Sequence, residues 1–163
     1  MPGTQENTQT LSFFQHNTRK VNTVHQTVLQ QAFEQNTHII LLQEPYLVRI
    51  KNKDKRVTYT AINHPEYFTV LPQPGNPSVI ETKPRVMAYI RKSIEFTPLY
   101  DKVDNPDVQL IKVFGAKTFQ ILHVYNERQE KGGQYTEKRV LQNLSVDSLP
   151  TLIAENFNRH NPW

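Results

Sequence analysis

HIILLQEPYL, residues 38–47, decides how the rest of the chain is read. Ile39 to Leu42 is an unbroken apolar run that ends in Gln43 and Glu44, and Pro45 follows at once. A short apolar run stopped by a breaker is the pattern of a strand buried on both faces, as in the middle of a layered α/β sheet. Proline cannot donate to a strand ladder and pushes the residue before it towards an extended or turn conformation. Glu44 is therefore expected at the carboxyl end of a central strand, the edge where open α/β sheets bind their ligands. A carboxylate there is a candidate ligand for a hard cation such as Mg²⁺, which prefers oxygen donors.

Upstream, LSFFQHN (residues 11–17) reads as a first strand that delivers His16 and Asn17 to its end. Val21, Val24, Val28, Leu29, Ala32 and Phe33 then recur at three- and four-residue steps, the apolar stripe of an amphipathic helix. Thr18 or Asn22 is expected to cap it. Strand, helix and strand within so short a span predict a crossover unit with parallel strands.

Downstream, residues 47–57 carry Arg49, Lys51, Lys53, Lys55 and Arg56 against a single Asp54. This run reads either as a solvated loop or as a phosphate-facing loop beside Glu44. Short strands are expected at residues 59–62 and 67–71, with a proline-rich turn after them. Residues 85–92, 94–100, 108–114 and 118–126 read as further strands, the last two joined as a hairpin through Gly115 and Ala116. Tyr125 and Asn126 close that hairpin. A polar loop at 127–135, a helix from Thr136 and a last strand at 151–158 complete the pattern.

The 163 residues suit one domain with a sizeable core, and no internal repeat divides them. There is no cysteine, so a disulfide partner and a thiolate metal site are excluded. No apolar stretch is long enough to span a membrane. The first ten residues read as a flexible polar tail rather than a signal peptide, so a nuclear or cytoplasmic and not a secreted protein is expected. A formal net charge of +4 permits a polyanionic partner without demanding one.

Four strand ends now carry polar residues: QHN (15–17), LLQEPY (41–46), VYN (124–126) and ENFNRHNPW (155–163). Taken in this order they resemble the endonuclease/exonuclease/phosphatase superfamily, and most nearly the apurinic-type endonuclease domain of non-LTR retrotransposons. The resemblance covers residues 11–163. It implies an α/β fold, a four-layer αββα sandwich of the DNase I-like type, here expected to lack its C-terminal strands because the family's closing Ser-Asp-His block lies beyond Trp163.

It also implies a Mg²⁺-dependent endonuclease that hydrolyses phosphodiesters of DNA. Position by position, Glu44 and Asn17 match the metal-holding residues. Tyr125 matches the tyrosine on the scissile phosphate, and Asn158 the asparagine that orients it. Asn156 stands where the family has an aspartate. An amide accepts a hydrogen bond but takes no proton from water at neutral pH. Its neighbour Glu155 is expected on the opposite face of the strand. The expectation is thus a crippled retrotransposon endonuclease. The alternatives are a non-catalytic remnant that binds nucleic acid weakly through Arg49 to Arg56, or a phosphatase of the same fold.

Overall fold

The computed structural model describes residues 10–72, 83–103, 105–126 and 149–155. The crossover unit forms as expected. Strand β1 (Phe13–Asn17) leads into helix α1 (Asn22–Glu34), which returns to β2 (Ile39–Gln43) parallel to β1. Val28, Leu29 and Ala32 of α1 are buried against Ile40 and Leu42 of β2. The capping expectation fails: the N-cap is Val21 and no side chain caps it. Thr18 Oγ1 donates instead to the Glu44 carbonyl at 2.6 Å, and Asn22 Oδ1 accepts from Gln26 within the helix.

The basic stretch is a hairpin rather than a loop. β3 (Val48–Lys51) pairs antiparallel with β4 (Val57–Thr60) as a separate two-stranded sheet. Its β-branched residues alternate with the charges, which is a strand period. The tip turns through Asn52 to Arg56, where Lys55 takes φ 66° and the Asn52 amide donates to the Arg56 carbonyl.

Six further strands follow: β5 (Tyr67–Val70), β6 (Val86–Arg91), β7 (Glu95–Pro98), β8 (Val108–Phe114), β9 (Phe119–Val124) and β10 (Thr151–Glu155). They complete two four-stranded sheets, ordered β1-β2-β6-β5 and β10-β9-β8-β7. β8 and β9 make the expected hairpin, and β10 runs parallel to β9.

Alternation along each strand assigns the layers. Ile40, Leu42, Met87 and Tyr89 face α1. Ile39, Leu41, Ala88 and Ile90 face the second sheet and share one apolar cluster with Ile111, Val113, Ile121 and Ala154. Val108, Leu110, Leu122 and Val124 form the outer face of the second sheet. The helix expected from Thr136 lies outside the described residues. β1 and β10 are edge strands on the same side, linked by Gln15 Nε2 donating to the Glu155 carbonyl at 2.8 Å. Between them opens a cleft of about 590 Å³, lined by Leu11, Phe13, Phe119 and Leu152 among others. Among the described residues no helix is long and apolar enough to cross a membrane.

Candidate functional site

Along β2 the side chains alternate between helix and second sheet, and Gln43 takes its turn towards the second sheet. By that rhythm Glu44 would follow Ile40 and Leu42 towards α1. It does not. Glu44 has φ 46°, the left-handed region that residues with a Cβ seldom occupy. The turn re-aims its carboxylate, whose Oε1 accepts a hydrogen bond from Tyr125 Oη at 3.0 Å. Tyr125 follows β9, so this bond joins the two sheets at their common end. The conformation is held from three sides. The Glu44 amide donates to the Arg85 carbonyl at 2.8 Å, while its own carbonyl accepts from the Lys20 amide at 2.7 Å and from Thr18 Oγ1. Strain of this kind persists only where surroundings over-determine it, and it concentrates at functional sites.

Tyr125 is positioned in turn by a pair that spacing alone did not single out. Arg85 Nε donates to Asp107 Oδ1 at 2.7 Å, and a second guanidinium nitrogen donates to Oδ2, the two-point geometry that suits an Arg–carboxylate pair. The Arg85 guanidinium lies over the Tyr125 ring, 4.6 Å from its centre. The Tyr125 amide also donates to the Asp107 carbonyl at 2.8 Å. Asp107 thus fixes the tyrosine through both its backbone and its partner. The signal in the sequence was thin: an arginine one residue before a strand and an aspartate one residue before another.

Beneath this rim the two sheets are joined by amides and an imidazole. Gln43 Nε2 donates to His123 Nε2 at 2.9 Å, His123 Nδ1 donates to Gln109 Oε1 at 3.3 Å, and Gln109 Nε2 donates to the Val70 carbonyl at 2.9 Å. His123 has no solvent exposure, and burial pushes its pKa down to about 3. A second buried histidine, His25, accepts from the Tyr46 amide and donates to Tyr89 Oη, which donates to the Ile62 carbonyl. Burial pushes His25 down to about 4 and raises the Tyr89 phenol. Both imidazoles are neutral structural links.

The remaining expected residues fall as follows. Asn17 ends β1 in register with Gln43, one residue from Glu44, and its Oδ1 accepts from the Arg19 amide at 2.9 Å. Arg49, Lys51, Lys53, Lys55 and Arg56 are all exposed on the β3–β4 hairpin, with Arg56 paired to Asp54 at 3.3 Å. Asn156 and Asn158 lie outside the described residues. Glu155 is buried at the end of β10, beyond Ala154, which faces the seam. Asn126 Oδ1 is buried beside Tyr125 with no hydrogen-bond partner among the described residues.

The donors at this rim are all oxygens, which suits Mg²⁺. Glu44 offers one oxygen beyond the one Tyr125 engages, and no group of three His, Cys, Asp or Glu gathers among the described residues. Such a set fits a cation held jointly by one carboxylate and a substrate phosphate, rather than a closed protein cage.

Among solved structures, the chain is similar to the endonuclease domain of TRAS1, a telomere-specific non-LTR retrotransposon. The TM-score is 0.52 at 11% identity, and the match covers 72% of this chain. It spans 45% of the TRAS1 domain, less than half of that chain's length. The likeness supports the resemblance carried by the motifs, and the mixed α/β fold is of the DNase I-like type. No family model matches the sequence, nor does any curated protein.

Proposed function

We propose that this chain carries a retrotransposon-type DNA endonuclease site, dependent on Mg²⁺, whose hydrolytic step is crippled by Asn156. The observation that carries the reading is the Tyr125–Glu44 hydrogen bond at the common end of two sheets. It brings a phenol donor and a carboxylate to one spot, and a strained turn and an Arg–Asp pair keep them there. Glu44 and Asn17 are the residues that would hold Mg²⁺. Bound there, the ion would neutralise charge on the phosphate and its leaving oxygen.

The chain's own groups divide the remaining work. When DNA binds, the Tyr125 hydroxyl would free Glu44 Oε1 by turning its single proton to a phosphate oxygen. Asn158 donates from its amide to the same group. Asn156 accepts a hydrogen bond from water but cannot take its proton, so the attacking water stays weakly nucleophilic. What is left is a DNA-binding surface with a disabled centre, acting in the nucleus or cytoplasm where DNA is reached.

Nicking of supercoiled plasmid in Mg²⁺, with EDTA controls, tests this. The unmodified chain should nick no faster than Glu44→Ala, whereas Asn156→Asp with the family's closing Ser-Asp-His segment appended should gain about 100-fold or more, the usual worth of a general base. Vigorous nicking by the unmodified chain would overturn the crippling. Silence of Asn156→Asp with that segment appended would reduce the reading to a non-catalytic remnant.

A further inference from the structure

Besides its carboxylate, Glu44 gathers two basic segments. The Lys20 amide donates to the Glu44 carbonyl, and the Glu44 amide donates to the carbonyl of Arg85, two residues after Lys83. The β1–α1 turn and the lead into β6 are therefore fastened to the two sides of a single residue. Arg19 and Lys20 both take left-handed conformations, φ 52° and 60°, which set the turn and leave both side chains exposed. Lys83 is half-buried across from it. Its ammonium lies below the usual lysine range, first because burial desolvates it and second because Lys20 stands near.

The two backbone bonds of Glu44 bring the Lys20 and Lys83 segments to one place, and like charges brought near one another repel. Among the described residues the ion pairs are Arg56–Asp54 and Arg85–Asp107, so neither lysine has a carboxylate partner there. Asp107 is engaged by Arg85, and one oxygen of the Glu44 carboxylate by Tyr125, the other being left for the cation. An anion placed between the lysines relieves the repulsion and adds two charge-assisted hydrogen bonds.

We propose that Lys20 and Lys83, with Arg19 at the margin, form a phosphate-binding subsite for the backbone of duplex DNA, immediately beside Glu44. It rests on the endonuclease reading for the nature of the ligand. It assigns the main backbone contact to this turn rather than to the β3–β4 hairpin. The hairpin's charges stand on a separate two-stranded sheet, and Arg56 is partly neutralised by Asp54.

The test is the salt dependence of binding to a short labelled DNA duplex, followed by fluorescence anisotropy in EDTA. Lys20→Ala/Lys83→Ala should lower the slope of log affinity against log salt by about 2, roughly 0.9 for each phosphate left without its lysine. Lys20→Arg/Lys83→Arg should restore it. Lys112→Ala/Lys117→Ala, which removes the same charge from the second sheet, should leave it within about 0.5. Circular dichroism confirms that each variant folds. An equal drop in the Lys112/Lys117 variant, or an unchanged slope in Lys20→Ala/Lys83→Ala, overturns the subsite. The plasmid assay keeps the two readings apart. Nicking by the extended Asn156→Asp chain, together with a slope indifferent to Lys20 and Lys83, sinks the subsite alone. A slope that responds to Lys20 and Lys83 without any nicking leaves the subsite standing and removes the enzyme.

Discussion

The seam between the two sheets has a dry end and a polar end, and the same strands build both. β2 goes from Ile39 and Leu41 to Gln43, β9 from Ile121 to His123 and then Tyr125, and β8 from Val113 and Ile111 back to Gln109 and Asp107. At the dry end, apolar side chains meet without directional demands. At the polar end each group is placed by a named partner. The difference separates what holds the fold from what aims the site. Apolar burial is non-directional and fixes that the sheets pack, while the hydrogen-bonded end fixes how they are registered.

The comparison can be broken first at its dry end. Ile121→Ala removes a fully buried side chain from the shared cluster and should cost about 2–5 kcal/mol in chemical denaturation. In the presence of a DNA duplex, the surviving folded protein should match the parent in calorimetric titration with Mg²⁺, since the proposed ion site lies at the other end. A loss of ion binding with little loss of stability would mean that the two ends are not separable.

Acid probes the polar end. His123 and His25 have native pKa values near 3 and 4, against an ordinary value of 6.5. The unfolded chain therefore takes up protons that the native state refuses. Stability is full above pH 6.5 and falls as pH drops towards 4. Each histidine should cost about 2 kcal/mol at pH 5 relative to neutral pH. Denaturation curves at pH 7, 6 and 5 should show the decline, and His123→Gln should lessen its steepness. A flat profile would show that the seam admits water at its polar end.

The smallest effect sharpens the contrast most. Glu44→Gly relieves a left-handed conformation at a residue with a Cβ but removes the acceptor of the Tyr125 hydroxyl, so the two effects offset and stability should change by no more than about 1 kcal/mol in either direction. The same change should abolish the DNA-dependent Mg²⁺ binding proposed for this site. Destabilisation by several kcal/mol would instead assign the Glu44 side chain to the scaffold.

Much of this was legible in the residues. The apolar run ending at Pro45 located β2 and its polar end. The helical stripe and its two flanking strands gave the parallel crossover, and Gly115 marked the β8–β9 hairpin. Those features are local, and periodicity reports them. Reading fell short wherever a long-range partner decided the outcome. Thr18 looked like a helix cap until the Glu44 carbonyl, 26 residues away, claimed its hydroxyl. The charges between 49 and 56 masked a strand period, because β-branched residues between lysines read as a solvated run. Arg85 and Asp107 could not be paired from spacing, since their meeting depends on β6 and β8 belonging to facing sheets. The left-handed turn at Glu44 also escaped, although it decides where the carboxylate points.

Among the described residues β1 and β10 each have a strand neighbour on one flank only, and their Phe13, Leu152 and Ile153 are at 40–45% exposure. The edge of a strand next to oily side chains is adhesive, because an extended segment laid along it extends a ladder and shelters hydrocarbon in one step. Concentrated solutions of this polypeptide will therefore tend to stick edge to edge, and a single lysine planted on that border is the simplest remedy for keeping the molecules apart.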